Sequence, residues 1–185
     1  MSSVVISGDT SGAITLASPA VAGTNTATLP AATGTVMVSG NMPAFSAYRS
    51  PSSQSFSQNT FTKVQFNQEV FDTNNNYDSS TNYRFTPTVA GYYQISSPVG
   101  IAAGATYGRV ICSVYKNGNE YIRQDCNLSV GLFAYTTATV NSLVYCNGST
   151  DYIEIYVYCN SSSPNVDAGT APYASSFSGT MVRGA

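Results

Sequence analysis

The sequence predicts an all-β sandwich or barrel, and three observations carry that expectation. No segment repeats apolar residues at intervals of three and four, so helix signals are nearly absent. Gly, Pro, Asn and Ser interrupt the chain about every 8–12 residues, with Val, Ile, Thr, Tyr and Phe between them, as in short strands joined by turns. Two stretches then show a period of two directly. Ile153, Ile155, Val157 and Cys159 alternate with Tyr152, Glu154, Tyr156 and Tyr158, which assigns the first set to the core. Residues 109–115 and 120–123 flank Asn117-Gly118, the pair that closes tight hairpins.

Along the chain, residues 1–41 hold a single charge, Asp9, and short β runs broken by Gly and Pro. Too few large side chains are present there to bury a core unaided. Its Ser, Gly and Thr richness suits a flexible linker, whereas the alternations Ile14/Leu16 and Val36/Val38 suit strands. The segment is expected to be β-rich and tied down by other chains, with the linker as the alternative. Ile14, Leu16, Leu29, Val36 and Val38 are its candidate anchoring contacts. Composition changes at Met42-Pro43, which separates an N-terminal anchor or trimerisation segment, 1–41, from a domain, 42–185.

Seven Lys or Arg stand against nine Asp or Glu, with no His and no Trp. Charged residues make up 9%, where soluble domains carry about 25%. The 26 Ser, 20 Thr and 15 Asn fill the difference, while a 43% hydrophobic content still permits a core. A net charge of −2 leaves no basic stripe for phosphates, which argues against nucleic-acid binding. No apolar run approaches the roughly 20 residues of a bilayer-spanning helix. The lack of His removes Ser-His and Cys-His nucleophile pairs, so an enzyme is not expected. The N-terminus lacks the basic start and apolar stretch of a signal peptide, so folding where the chain is made is expected. In that reducing setting Cys112, Cys126, Cys146 and Cys159, which form no Cys-x-x-Cys pair, are expected as free thiols. Cys112 and Cys159 alternate with valines, as small buried hydrophobes do.

An ordered set of motifs covers the remainder. Pro43-Ala44-Phe45-Ser46-Ala47-Tyr48 opens it and Thr62-Lys63-Val64-Gln65-Phe66-Asn67 follows. Phe66, Asp72, Tyr77, Phe85, Gly91 and Tyr93 come next at characteristic spacings, and Ser176-Phe177-Ser178-Gly179-Thr180-Met181-Val182 closes it. This set resembles the complement component 1q globular head, a branch of the tumour-necrosis-factor-like jelly rolls. One extra residue between Tyr77 and Phe85, and Ile95 and Ser97 where aromatics are usual, are the departures. The resemblance implies a ten-stranded jelly roll that assembles as a homotrimer and works through binding surfaces rather than chemistry. Residues 1–41 in turn resemble the Ala/Gly/Thr-rich β modules of tailed-phage virion proteins, especially fibres.

Together these imply a bacteriophage virion protein, made in the host cytoplasm. Two roles suit it: a fibre-like head that recognises a host-surface glycan or protein, or a capsid decoration (head fibre) protein that stabilises the shell. Other virion proteins are its expected partners in either case. No cofactor is expected. Calcium stays open, because trimer symmetry could gather three copies of one of Asp72, Asp78, Asp125, Asp151 or Asp167 on an axis. For Tyr152, Tyr156 and Tyr158 a sheet-face or protein-contact role is expected over glycan contact.

Overall fold

The computed structural model describes residues 3–21, 23–28, 31–103, 108–127, 135–172 and 174–185. The chain divides into two compact units, Met1–Gly34 and Thr35–Ala185. The first contains one antiparallel hairpin, β1 (Ser3–Ser7) and β2 (Ala13–Ala17). Its turn closes where the Gly8 N–H donates to the Gly12 carbonyl at 2.9 Å, with Gly12 at φ 77°. Val4 pairs with Leu16 and Ile6 with Ile14, so four apolar side chains share one face.

The second unit begins before the composition change. Met37 packs against the unit's core, so residues 35–41 belong with the head and the division falls at Gly34/Thr35. Val36 and Val38 do not form the strand their alternation suggests. They lead instead into a 3-10 turn, Ser39–Asn41, where the Asn41 side chain accepts the Val38 N–H at 2.7 Å.

Two sheets pack face to face. The seven-stranded sheet runs β4 (Gln54–Ser55), β14 (Asn165–Val166), β9 (Ala90–Ala102), β15 (Ser176–Gly184), β3 (Ala44–Tyr48), β6 (Gln68–Asp72). The long strand β12 (Tyr135–Asn147) takes the whole other flank of β9. The six-stranded sheet runs β11 (Asn119–Asn127), β10 (Arg109–Lys116), β13 (Ile153–Cys159), β8 (Arg84–Phe85), β7 (Tyr77–Asp78), with β5 (Thr62–Lys63) also on β13. The ten strands expected appear as thirteen segments, because β4, β5, β7, β8 and β14 are two-residue pieces interrupted by loops. Asn117 at φ 54° and Gly118 at φ 77° close the β10–β11 hairpin at the Asn-Gly pair.

The signature residues converge between the sheets. The Phe45 ring stacks on Phe85 at 4.3 Å and on Tyr77 at 5.0 Å, and meets the edge of Phe177 at 4.8 Å. Phe66 lies against Phe177 and Tyr93 against Phe85. The two buried tyrosines satisfy their hydroxyls locally: Tyr77 donates to the Phe66 carbonyl at 2.9 Å and Tyr93 to the Val89 carbonyl at 2.6 Å. Burial pushes both phenols well above their ordinary range. Asp72 closes the polar loop after β6 by accepting the N–H of Tyr77 at 2.6 Å and of Asn74 at 3.2 Å. Gly91 serves close approach: a Cβ there would stand 2.4 Å from the Arg183 carbonyl oxygen and from the Met181 side chain.

Two outcomes follow. Gly91→Ala is expected to lose about 1–3 kcal/mol by overpacking, read as a melting temperature lowered by several degrees. Cys112, Cys146 and Cys159 are buried and Cys126 half-buried, with all four thiols free. Burial pushes the Cys112 thiol up to about 12 and the Cys146 thiol up to about 11. A thiol reagent at pH 7.5 is expected to modify Cys126 first and the other three only after unfolding, resolved by mass spectrometry of the native protein.

Candidate interaction surface

The outer faces of the two sheets differ in chemistry. That of the six-stranded sheet covers itself. Lys63 pairs with Glu154 at 2.9 Å, Arg109 chelates Asp125, and Ser113 donates to Glu120 at 2.9 Å. Tyr115 and Tyr156 stack at 4.0 Å and Phe61 lies on Tyr158 at 5.3 Å. Beneath this layer Ile111, Ser113 and Glu154 are buried although they point away from the sandwich core. Tyr156 and Tyr158 thus occupy the sheet face expected of them, and Tyr152 sits under the Arg84 guanidinium at 4.3 Å.

Among the described residues the outer face of the seven-stranded sheet has no such cover. Strand register lines up Phe71, Ser46, Ser178, Ser96 and Asn141 in one row, with Thr180, Gln94 and Leu143 in the next. Tyr92 and Tyr145 pair beyond them with ring centroids 5.4 Å apart. These rows carry no charge; the first charged side chain met along β15 is Arg183. Phe71, Leu143 and Val182 are each about half exposed, and a shallow cavity of about 310 Å³ opens between Phe71 and the small side chains of Ser96, Ser178 and Thr180. Short hydroxyls ringed by open apolar residues form a flat surface that a second surface can approach closely, and exposed apolar area of this kind marks association.

Sequence reasoning did not single out this face, although one signal pointed to it. Leu143-Val144-Tyr145-Cys146 is an unbroken apolar run inside an alternating strand, which places apolar groups on both faces of β12. The residues named as anchors are placed differently. Ile14 and Leu16 share the hairpin face with Val4 and Ile6, whereas Val36 and Val38 belong to the second unit; all four are more than half exposed. Leu29 lies outside the described residues. The signature residues Phe66, Tyr77, Phe85 and Tyr93 are buried in the nucleus, so their role in this chain is packing.

Each aspartate weighed for calcium has a partner within the chain. Asp72 and Asp78 cap loops, Asp125 meets Arg109, Asp151 meets Lys116 and Asn117, and Asp167 accepts the Ala168 N–H. Among the described residues no three Cys, Asp or Glu groups converge on a metal-sized site. No helix among them is long and apolar enough to cross a membrane.

No family model matches the sequence. A 109-residue stretch is 29% identical to YqcC of Bacillus subtilis (strain 168), an uncharacterized protein; the match covers 54% of this chain and 28% of that protein. The chain therefore spans well under a third of that relative's length. Among solved structures, Eiger TNF from S. frugiperda superposes with a TM-score of 0.60 at 6% identity, covering 78% of this chain and 95% of that one. The globular domain of zebrafish complement 1qA gives 0.55 at 18%, covering 77% and 99%. PRD1 vertex protein P5 gives 0.51 at 16%, covering 77% and 73%.

Three carboxylates titrate below the usual range. The Thr81 N–H, helped by Ser80 and Asn82, holds Asp78 well down; the Arg109 side chain lowers Asp125; the Asn117 amide and then Lys116 lower Asp151. A carboxylate depressed in the folded state contributes stability that is present above its unfolded pKa, near 3.9, and is lost as pH falls toward the folded value. Unfolding free energy is therefore expected to stay level above about pH 5 and to drop below about pH 4. In Asp78→Asn that drop is expected to be smaller, measured by denaturant unfolding at each pH. The fold these residues stabilise is the all-β jelly roll shared by complement 1q heads and tumour-necrosis-factor-like proteins.

Proposed function

We propose that this chain is a non-enzymatic structural protein of a bacteriophage virion. In this reading it is a homotrimer, anchored by its N-terminal segment and presenting the jelly-roll head for host-surface recognition of a glycan or protein. The observation that carries the reading is the pair of uncharged residue rows on the outer face of the seven-stranded sheet. A surface that small side chains make flat, with Phe71, Leu143 and Val182 left open, suits a repeated self-contact better than solvent. The self-paired charges of the opposite face leave that side to water. A binding head needs no nucleophile or metal, which accords with a chain without His.

A second reading, capsid decoration or cement, is favoured by one observation: the fold likeness to PRD1 vertex protein P5. The two readings share the trimer and differ in where it sits.

Sedimentation is expected to give a mass of about 58 kDa, three times 19.4 kDa. Replacing Phe71 and Leu143 together by Arg places charges in the contact, which costs several kcal/mol, and is expected to give folded monomers by sedimentation and far-UV circular dichroism. A stable wild-type monomer at micromolar concentration would remove the trimer reading. Immunogold labelling of particles then separates the roles: label at the tail supports host recognition, and label over the shell supports decoration. A chain starting at Thr35 is expected to remain trimeric and to be absent from particles, because the anchor is gone.

A further inference from the structure

The strongest unassigned feature outside the head is the apolar face of the β1–β2 hairpin. Val4, Ile6, Ile14 and Leu16 stand together on one face, each more than half exposed. The opposite face carries Val5 and Thr15, flanked by the small pair Ser7/Ala13 and by Ala17. A two-stranded hairpin is marginally stable in water, so one that exposes its apolar side needs a cover. A cover of that face could come from an unrelated virion protein or from other copies of the chain.

We infer that the cover is the same face of two further copies: three hairpins close, apolar sides inward, into a small triangular prism. The inference rests on the homotrimer reading above and concerns a contact separate from the head. Three features select self-contact. First, the face carries no charged or hydrogen-bonding side chain; the one charge nearby, Asp9, lies in the turn. Recognition of a different protein is ordinarily specified by such groups, whereas a self-contact needs only matching apolar shape. Second, the open area suits a tethered self-contact. With about 100 Å² of each residue uncovered, the face amounts to about 400 Å² per chain, too little to hold free partners together but enough for copies already joined through their heads. Third, reach is not limiting. The stretch from β2 to Gly34 contains no strand among its described residues and, extended, spans on the order of 55 Å. Heads associated in threes would hold three hairpins at high effective concentration whatever their starting positions.

At the closed end of the hairpin lies a hollow of about 270 Å³, lined by residues of both faces, Ile6 and Ile14 together with Ser7 and Ala13, and by Gly8, Ser11 and Gly12 of the turn.

The test uses the full chain, purified with no other virion protein present, carrying Ile14→Cys or, separately, Leu16→Cys. Thr15→Cys on the opposite face and the unaltered chain, with its half-buried Cys126, are the controls. A short bis-maleimide is added and covalent species are read on a denaturing gel, with sedimentation run in parallel. The expected result is chain-to-chain linkage of up to two-thirds of the Ile14→Cys and Leu16→Cys protein, and background linkage for Thr15→Cys. If the protein sediments as a trimer while Ile14→Cys and Leu16→Cys are labelled without linking, the face is open to another protein; the prism is then wrong and the homotrimer stands. If the protein sediments as a monomer, the homotrimer reading and the prism fall together.

Discussion

The ring of Phe45 sits between Phe85 and Tyr77, with the edge of Phe177 against it, and this aromatic contact couples the two sheets. Phe45 and Phe177 come from β3 and β15 of one sheet; Tyr77 and Phe85 come from β7 and β8 of the other. Stacked and edge-on rings interact only within narrow limits of distance and angle, so the nucleus constrains how the sheets sit on each other. Glycines make room for it. A Cβ on Gly179 would stand 2.7 Å from the Phe45 ring and 2.8 Å from Ile95. Gly91 lets the end of β15 close onto β9, where the register shifts between Met181 and Arg183.

The polar devices around the nucleus hold short strands in place. β7 and β8 are two residues each and have little ladder of their own. Asp72 supplies an acceptor to the Tyr77 N–H, the Tyr77 hydroxyl returns to the Phe66 carbonyl, and the Asn76 carbonyl accepts the Thr86 N–H. A side-chain acceptor, a side-chain donor and a loop backbone pair thus satisfy backbone groups that a longer strand would satisfy by pairing. In a chain with so few charges, the acids are spent on this work and on ion pairs along the six-stranded sheet.

That allocation leaves the seven-stranded sheet bare. Covering rows of serines, threonines and amides beside Phe71, Leu143, Tyr92 and Tyr145 removes apolar area from water and incurs no charge-desolvation penalty, provided the hydroxyls and amides find hydrogen-bond partners. Covering the opposite face would cost its ion pairs their hydration. The same contrast appears on a smaller scale in the hairpin, where one face is apolar and the other mostly small.

Much of this was legible in the residues. The Asn117-Gly118 hairpin and the buried alternation of Ile153, Ile155, Val157 and Cys159 are local, since a period of two and a turn that needs positive φ are both written in adjacent residues. The ordered set from Phe66 to Tyr93 carries the jelly-roll expectation through its resemblance to the complement 1q head, while each piece alone is ordinary β structure. The sequence by itself therefore determined the all-β class and part of the core, namely the β13 alternation, Cys112 and the signature aromatics. It read Val36 and Val38 as strand, because an alternation has no meaning without a partner strand. It put the boundary after residue 41, whereas the compact units divide at Gly34/Thr35 and Met37 reaches the core through a long-range contact. Only the tertiary structure decided which sheet face stays uncharged, since that depends on register across five strands. It also placed Val4 and Ile6 beside Leu16 and Ile14, a face that exists only once the chain has turned back on itself.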